Sequence, residues 1–445
     1  MGSEVSGRNV PPSSSVVAPG IERDGAAPSV EAAASVTKEI GPIGVAERVD
    51  LIDIVRGLAL FGIIAANMRG FAGPTPAYFE PSSFWPSMPD RIAQAIIDTF
   101  IQGKFVTIFS FLFGVGFAVQ LDRGEARGVK IGGVYARRLA ILVVFGLVHG
   151  TMIWFGDILL PYALIGFLLL LFRRRRDSTL ISWAIVGQLV PLVLLSLAWV
   201  YGQVSAEPLR GPHSAGPGEL ERLADLFAHG SWSAIHEQRV LDVFKANWGM
   251  FPVFFLPLLS LFLCGVLAWR RGFFHPRRET IDAYRRWMKL GLVVGVLGNT
   301  AATAIRWVWH VAQFPPTPLG LGVQLIQAVA VPMLSLGYVC GVIVLCQDEA
   351  WRRRLAPFAA VGRMALSNYL MQSIVCTLIF YSYGFGLFGS VGPALLLVPT
   401  LLVYATQPVI SEWWLDRFRF GPAEWLWRSL TYRRMQAMRI GAGQG

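Results

Sequence analysis

The sequence predicts an all-α, polytopic membrane protein with about ten transmembrane helices and both termini on the cytoplasmic side. Three observations carry that reading. Of 445 residues, 54% are hydrophobic and only 15% charged, with a mean hydropathy of +0.51; soluble domains average about 25% charged. Apolar runs near 20 residues long recur along most of the chain. The basic residues cluster in short connections between those runs, as in "RRRR" (173–176) and "RRGFFHPRR" (270–278). The net charge of +11 thus marks cytoplasmic loops, and no soluble basic domain remains to bind nucleic acid.

The elements follow in order. Residues 1–46 are rich in Ser, Ala, Gly, Pro and Val without periodicity, and are expected to form a disordered cytoplasmic tail. The tail lacks the apolar core of a signal peptide, so the first span is expected to be an uncleaved anchor. The transmembrane domain covers 47–435, with spans near 51–68, 105–121, 139–155, 158–172, 180–203, 248–269, 287–308, 320–346, 364–383 and 391–410. Residues 436–445 are read as a flexible tail. Connections 122–138, 173–179, 270–286 and 347–363 are basic, whereas 156–157, 309–319 and 384–390 carry no Lys or Arg. Every second connection is therefore cytoplasmic.

Two outer segments are long. Residues 69–104 hold a Pro- and aromatic-rich loop, then "IAQAIIDTFIQG", whose Ile92, Ile96, Ile97, Phe100 and Ile101 suit an interfacial amphipathic helix. Residues 204–247 contain His213, His229 and His236, but no two share a ligand-pair spacing, and no metal is expected. Cys264, Cys340, Cys346 and Cys376 all lie in or at the ends of apolar runs and read as packing residues.

Polar groups inside spans are costly and mark sites or helix–helix contacts. Arg56 and Asn67 lie 11 residues apart in the first span. Helical geometry puts them on one face, about 16 Å apart along the axis. Arg56 would bind an anion near the inner side, or pair with Asp53. His149 is the one histidine embedded in the middle of a span, and Asp157 follows at the outer turn. Together they read as a general base and its orienting carboxylate, although Asp157 would equally cap the next helix. Lys104 stands at the outer mouth of the second span, as an anion ligand or an interfacial anchor. In "VGRMALSNYLMQS" (361–373), Arg363 lies at the inner face, and Asn368 and Gln372 at i, i+4 would bind a polar ligand or bond neighbouring helices. Arg306 and His310 are weaker sites beside Trp307 and Trp309.

The stretches "RVDLIDIVRGLALFGIIAANMRGF", "GKFVTIFSFLFGVGFA", "RRLAILVVFGLVHGTMIWFGDILLPYALIGFLLL", "GRMALSNYLMQSIVCTLIFYSYGFGLFG" and "FGPAEWLWRSLTYRR" resemble the YeiB family of bacterial inner-membrane proteins, catalogued as a domain of unknown function. The resemblance spans essentially residues 46–435. That family in turn looks distantly similar to the transmembrane acyltransferases, among them heparan-α-glucosaminide N-acetyltransferase and the acyltransferase-3 proteins. Arg56 and Asn67 match the Arg, ten residues, Asn pattern of the heparan enzyme. Its histidine, 11 residues beyond the Asn, is replaced here by Tyr78. The base is missing from its expected place, so either His149 takes that role or the chain is not an acyltransferase.

The resemblance implies transfer of an acyl group from cytoplasmic acyl-CoA, such as acetyl-CoA, to an outer hydroxyl or amine on a glycan, lipid or small metabolite. Arg56, Arg363 and Lys104 would hold the donor. His149, Asn67 and Asp157 would carry the chemistry, and Asn368, Gln372 and Tyr78 would touch substrate. A proton-coupled exporter using His149 and Asp157 as a relay is the alternative, and a non-catalytic scaffold is a third. The expected partners are the lipid bilayer and the acceptor, with a homo-oligomer compatible with the sequence.

Overall fold

The structure is a computed structural model that describes residues 50–79, 84–128, 131–205, 216, 218–249, 251–309, 311 and 317–440. The 1–46 tail, His213, His310 and the last five residues of the C-terminal tail lie outside the described residues. The described chain is helical throughout, with one isolated β-bridge between Phe418 and Arg439. The helices are α1 (Asp50–Ala72), α2 (Thr75–Phe79), α3 (Met88–Phe100), α4 (Lys104–Ala126), α5 (Gly132–Val148), α6 (Leu159–Leu169), α7 (Asp177–Ser205), α8 (Glu219–His229), α9 (Trp232–Gly249), α10 (Phe251–Arg270), α11 (Ile281–Trp309), α12 (Pro318–Leu345), α13 (Glu349–Arg363), α14 (Ala365–Phe380), α15 (Pro393–Leu415) and α16 (Pro422–Tyr432).

Seven helical segments are long and apolar enough to cross a membrane, and Leu159–Phe172, Phe255–Arg270 and Ala365–Phe380 are shorter apolar helices. Each expected span coincides with one of these. The surface has the inverted polarity of a lipid-facing protein. On α7, Ile181, Ile185, Leu189, Val193 and Leu197 are exposed, and on α15 so are Leu395, Val398, Leu402 and Val409. The amphipathic segment forms α3, capped by Ser87, which accepts from the Asp90 N–H. Ile92, Ile96 and Phe100 form its exposed apolar stripe, while Ile97 turns inward.

One crossing positions the site. A Cβ on Gly57 would lie 1.9 Å from the Phe358 carbonyl oxygen, and one on Gly362 would lie 1.9 Å from that of Asp53. Only glycine permits α1 and α13 to touch backbone to backbone there. That contact joins the helices that carry Arg56 and Arg363, and both side chains line one cavity. The C-terminal helix α16 then docks on α5: Arg138 stacks over the Trp427 ring at 3.6 Å, the Trp427 indole donates to the Arg138 carbonyl, and Arg137 donates to the Thr431 carbonyl.

Candidate functional site

At its end α5 widens into a π-helical turn, His149–Ile153, closed by the Trp154 N–H on the His149 carbonyl at 2.8 Å. Single π turns of this kind re-aim a side chain. Here the turn buries His149 completely. Its Nδ1 lies 2.9 Å from Asp157 Oδ1, and its Nε2 lies 2.9 Å from Ser373 Oγ on α14. The second Asp157 oxygen accepts the Leu160 N–H at 2.7 Å. Asp157 therefore caps α6 and orients His149 at once. With the proton on Nδ1 facing the carboxylate, Nε2 would accept from the Ser373 hydroxyl, whose other acceptor is the Tyr369 carbonyl at 3.4 Å. This is the connectivity of a nucleophile, base and orienting acid.

The Tyr369 ring packs against His149, with centroids 4.9 Å apart. Tyr369 and Ser373 are one turn apart on the same face of α14. Tyr369 also lines a cavity of about 440 Å³. Leu60, Ile63, Tyr162 and Leu159 line it, and toward the basic connections so do Arg56, Arg123, Arg138, Arg363, Arg419 and Arg428. Asp53, Asp122 and Glu424 are the carboxylates of its lining. Cationic side chains dominate that mouth, and aromatic and aliphatic ones its interior.

Glu424 on α16 forms part of this wall. Its carboxylate accepts from the backbone N–H groups of Leu366 and Ser367 and from the Ser367 hydroxyl, so it caps α14 from a distant element. Burial pushes its carboxyl above the usual range, against the pull of those donors. On the opposite side, α9 covers the π turn: Arg239, almost wholly buried, donates to the Thr151 and Met152 carbonyls, and His236 Nδ1 meets the Thr151 carbonyl. Asp242 on α9 accepts from Thr75 and Gln238, and burial raises its carboxyl likewise.

The expected site residues divide into those the structure joins and those it does not. His149 and Asp157 are paired. Arg56 and Arg363 line the same cavity mouth, with Arg56 also bonded to Asp53 at 2.7 Å. Asn67 is half-buried and has no hydrogen-bond partner among the described residues. Asn368 and Gln372 require correction as substrate contacts. Asn368 donates to the Val361 carbonyl and Ser411, and Gln372 donates to Gln407 and the Leu60 carbonyl. Their donor capacity ties α13, α14, α15 and α1 together, and neither lines the cavity. Lys104 sits at the opposite end of α4 from Arg123, about 28 Å along the helix. It is apart from the arginine mouth and donates instead to the Asp98 carbonyl at 2.6 Å. Tyr78 receives a hydrogen bond from Gln102 and lies beneath the Arg69 guanidinium.

Sequence reasoning missed Ser373 and Tyr369. The signal was present: they repeat the i, i+4 spacing of Asn368 and Gln372 one position further round the helix. His229 and His236 use separate partners, Asp225 and Thr151.

Residues 268–434 match the family described as "Protein of unknown function (DUF418)". The chain is 37% identical to the uncharacterized protein YxaH of Bacillus subtilis strain 168, over 88% of this chain and 96% of the relative. It is 31% identical to the uncharacterized protein YeiB of Escherichia coli strain K12, over 87% and 97%. An uncharacterized 39.9 kDa protein in the amylase 3' region of Bacillus acidopullulyticus is 28% identical over 88% and 96%. On this full-length similarity, the chain belongs to the YeiB family of membrane proteins.

Proposed function

We propose that this chain is an acyltransferase of the bacterial inner membrane that draws acyl-CoA from the cytoplasm and passes the acyl group to an outer hydroxyl or amine. The observation that carries the reading is the Asp157–His149–Ser373 chain, packed against Tyr369, which itself lines an arginine-rich cavity. The basic mouth suits the phosphates of CoA. The apolar interior suits its pantetheine arm and acyl chain, and the volume lies within the range of about 300–1,000 Å³ usual for ligand sites.

In this mechanism His149 Nε2 takes the Ser373 proton as Oγ adds to the thioester carbonyl. CoA leaves as its thiolate and receives that proton from His149, which leaves an acyl ester on Ser373. The acceptor then gives its own proton to His149 and attacks the ester, and Ser373 regains its proton as the product departs. Asp157 stabilises the imidazolium formed in each half-reaction. Displacement of the Tyr369 ring opens the way from the cavity to Ser373.

The test is binding and transfer with purified protein and labelled acetyl-CoA. Saturable binding weakened by charge removal at Arg56 or Arg363 supports the reading. No binding at millimolar donor would sink it. The complete burial of the relay also suits a proton-coupled exporter. In that case His149→Ala would abolish proton-coupled flux in vesicles without any CoA dependence.

A further inference from the structure

A second polar cluster is buried at the other end of α4. Arg69 ends α1 and is 3% exposed, and Lys104 opens α4 and is fully buried. Arg306 lies on α11, within electrostatic reach of Arg69 and Lys104. The one carboxylate placed among them is Asp98, 3.2 Å from Arg69 Nη1. Two guanidinium groups and one amine thus gather around one carboxylate, away from bulk water.

The hydrogen bonds of the cluster are incomplete. The Nε atoms of Arg69 and Arg306 are buried without partners, as are Oε1 of Gln94 and of Gln102. Gln94 is attached to the cluster through its amide on Asp98, and Gln102 through Tyr78, whose ring lies 4.9 Å beneath Arg69. Two donors, on separate guanidiniums, and two acceptors are therefore orphaned in the cluster, while Arg306 Nη2 already donates to Gln327 at 2.7 Å. Buried groups of this kind are costly unless something satisfies them. The Asp98 side chain, 16% exposed, marks the way in.

We propose that this cluster binds a small oxyanion carrying its own hydroxyl or amine protons. The oxyanion would take the guanidinium N–H groups of Arg69 and Arg306 and the Lys104 ammonium. Its hydroxyl or amine would donate to Gln94 and Gln102. A soluble hydroxy acid and a lipid headgroup with a phosphate beside a free hydroxyl share this chemistry. Tyr78 joins the cluster to the other site: Gly70 lies against both Tyr78 and Trp154, and Tyr78 is within electrostatic reach of Tyr369. That the bound anion is the acyl acceptor rests on the acyl-transfer reading, whereas the binding itself does not.

The test is thermal stability in neutral detergent, titrated with lactate, inorganic phosphate or phosphatidylglycerol, against chloride at matched ionic strength. A saturable rise with lactate or phosphate identifies a soluble ligand, and a rise with phosphatidylglycerol alone identifies a headgroup. Arg306→Gln should weaken the apparent affinity about tenfold or more, the loss expected for a charge-assisted hydrogen bond. Asp98→Asn, which removes the competing carboxylate, should tighten it. No rise beyond chloride with any of the three ligands overturns the proposal, as does an Asp98→Asn variant that folds and binds no more tightly than the parent. No acyl donor is present, so failure here leaves acyl transfer untouched, and failure of acyl transfer leaves this site standing.

Discussion

Asp157 serves two elements at once: Oδ1 meets His149 Nδ1 at 2.9 Å, and Oδ2 receives the Leu160 N–H at 2.7 Å. The histidine and the helix cap are thereby fixed to each other, and the two roles separate by substitution. Asp157→Asn keeps an acceptor for Leu160 and should fold with nearly unchanged stability. It removes the carboxylate that sets the His149 tautomer, and acyl transfer should fall by about 10⁴-fold, as in hydrolytic triads. Asp157→Ala should in addition cost about 0.5–2 kcal/mol through the lost cap. Melting temperature and turnover measured on both variants check the pair.

The proposed role of the arginine mouth is to hold the acyl donor. Arg363→Gln should raise KM for acyl-CoA by about tenfold and leave kcat near the parent value, because the contact is equal in ground and transition states. Raising the ionic strength should weaken donor binding in the parent more than in the variant. Initial rates across salt and donor concentration supply the readout.

Gln407 bonds to both residues: its Oε1 accepts from the Gln372 amide, and its own amide donates to the Asn368 backbone carbonyl. Gln407→Leu strands the Gln372 amide and should destabilise the protein by about 1–3 kcal/mol. Donor KM should not change, since neither Asn368 nor Gln372 lines the cavity. A denaturation curve with donor titration tests both statements.

Glu424 makes stability depend on pH. Its carboxyl is raised above the usual range, so the folded state holds its proton more tightly than the unfolded chain. Its contribution is full below the ordinary glutamate range and falls as pH rises through the folded value. Glu424→Gln keeps the acceptor for Leu366 and Ser367 and removes the titration. The stability difference should shift in favour of the variant between acid and neutral pH. Melting temperatures of both proteins across that window measure it.

The membrane architecture was legible because the bilayer dictates it: a run near 20 apolar residues flanked by basic clusters has few other meanings. The His149–Asp157 pair was legible for a similar reason, since two ionisable groups eight residues apart in an apolar stretch demand a partner. Ser373 was not, being 224 residues from His149 and of a residue type that often bonds its own helix. Asn368 and Gln372 showed the opposite failure. Their type and spacing suit ligand and interhelical contact equally, and only the neighbours Ser411 and Gln407 decide. The return of α16 to wall the cavity with Glu424, Trp427 and Arg428 depends on the Arg138–Trp427 stack, a tertiary contact with no local pattern.

In the proposed reaction the buried relay makes Ser373 an acyl carrier. Intact-protein mass spectrometry after incubation with acetyl-CoA, without acceptor, measures it directly. One added acetyl group is expected on the parent, mapped to Ser373, and none on Ser373→Ala or His149→Ala. Full acyl transfer by a folded Ser373→Ala variant, or an acetyl group mapped elsewhere, would contradict it.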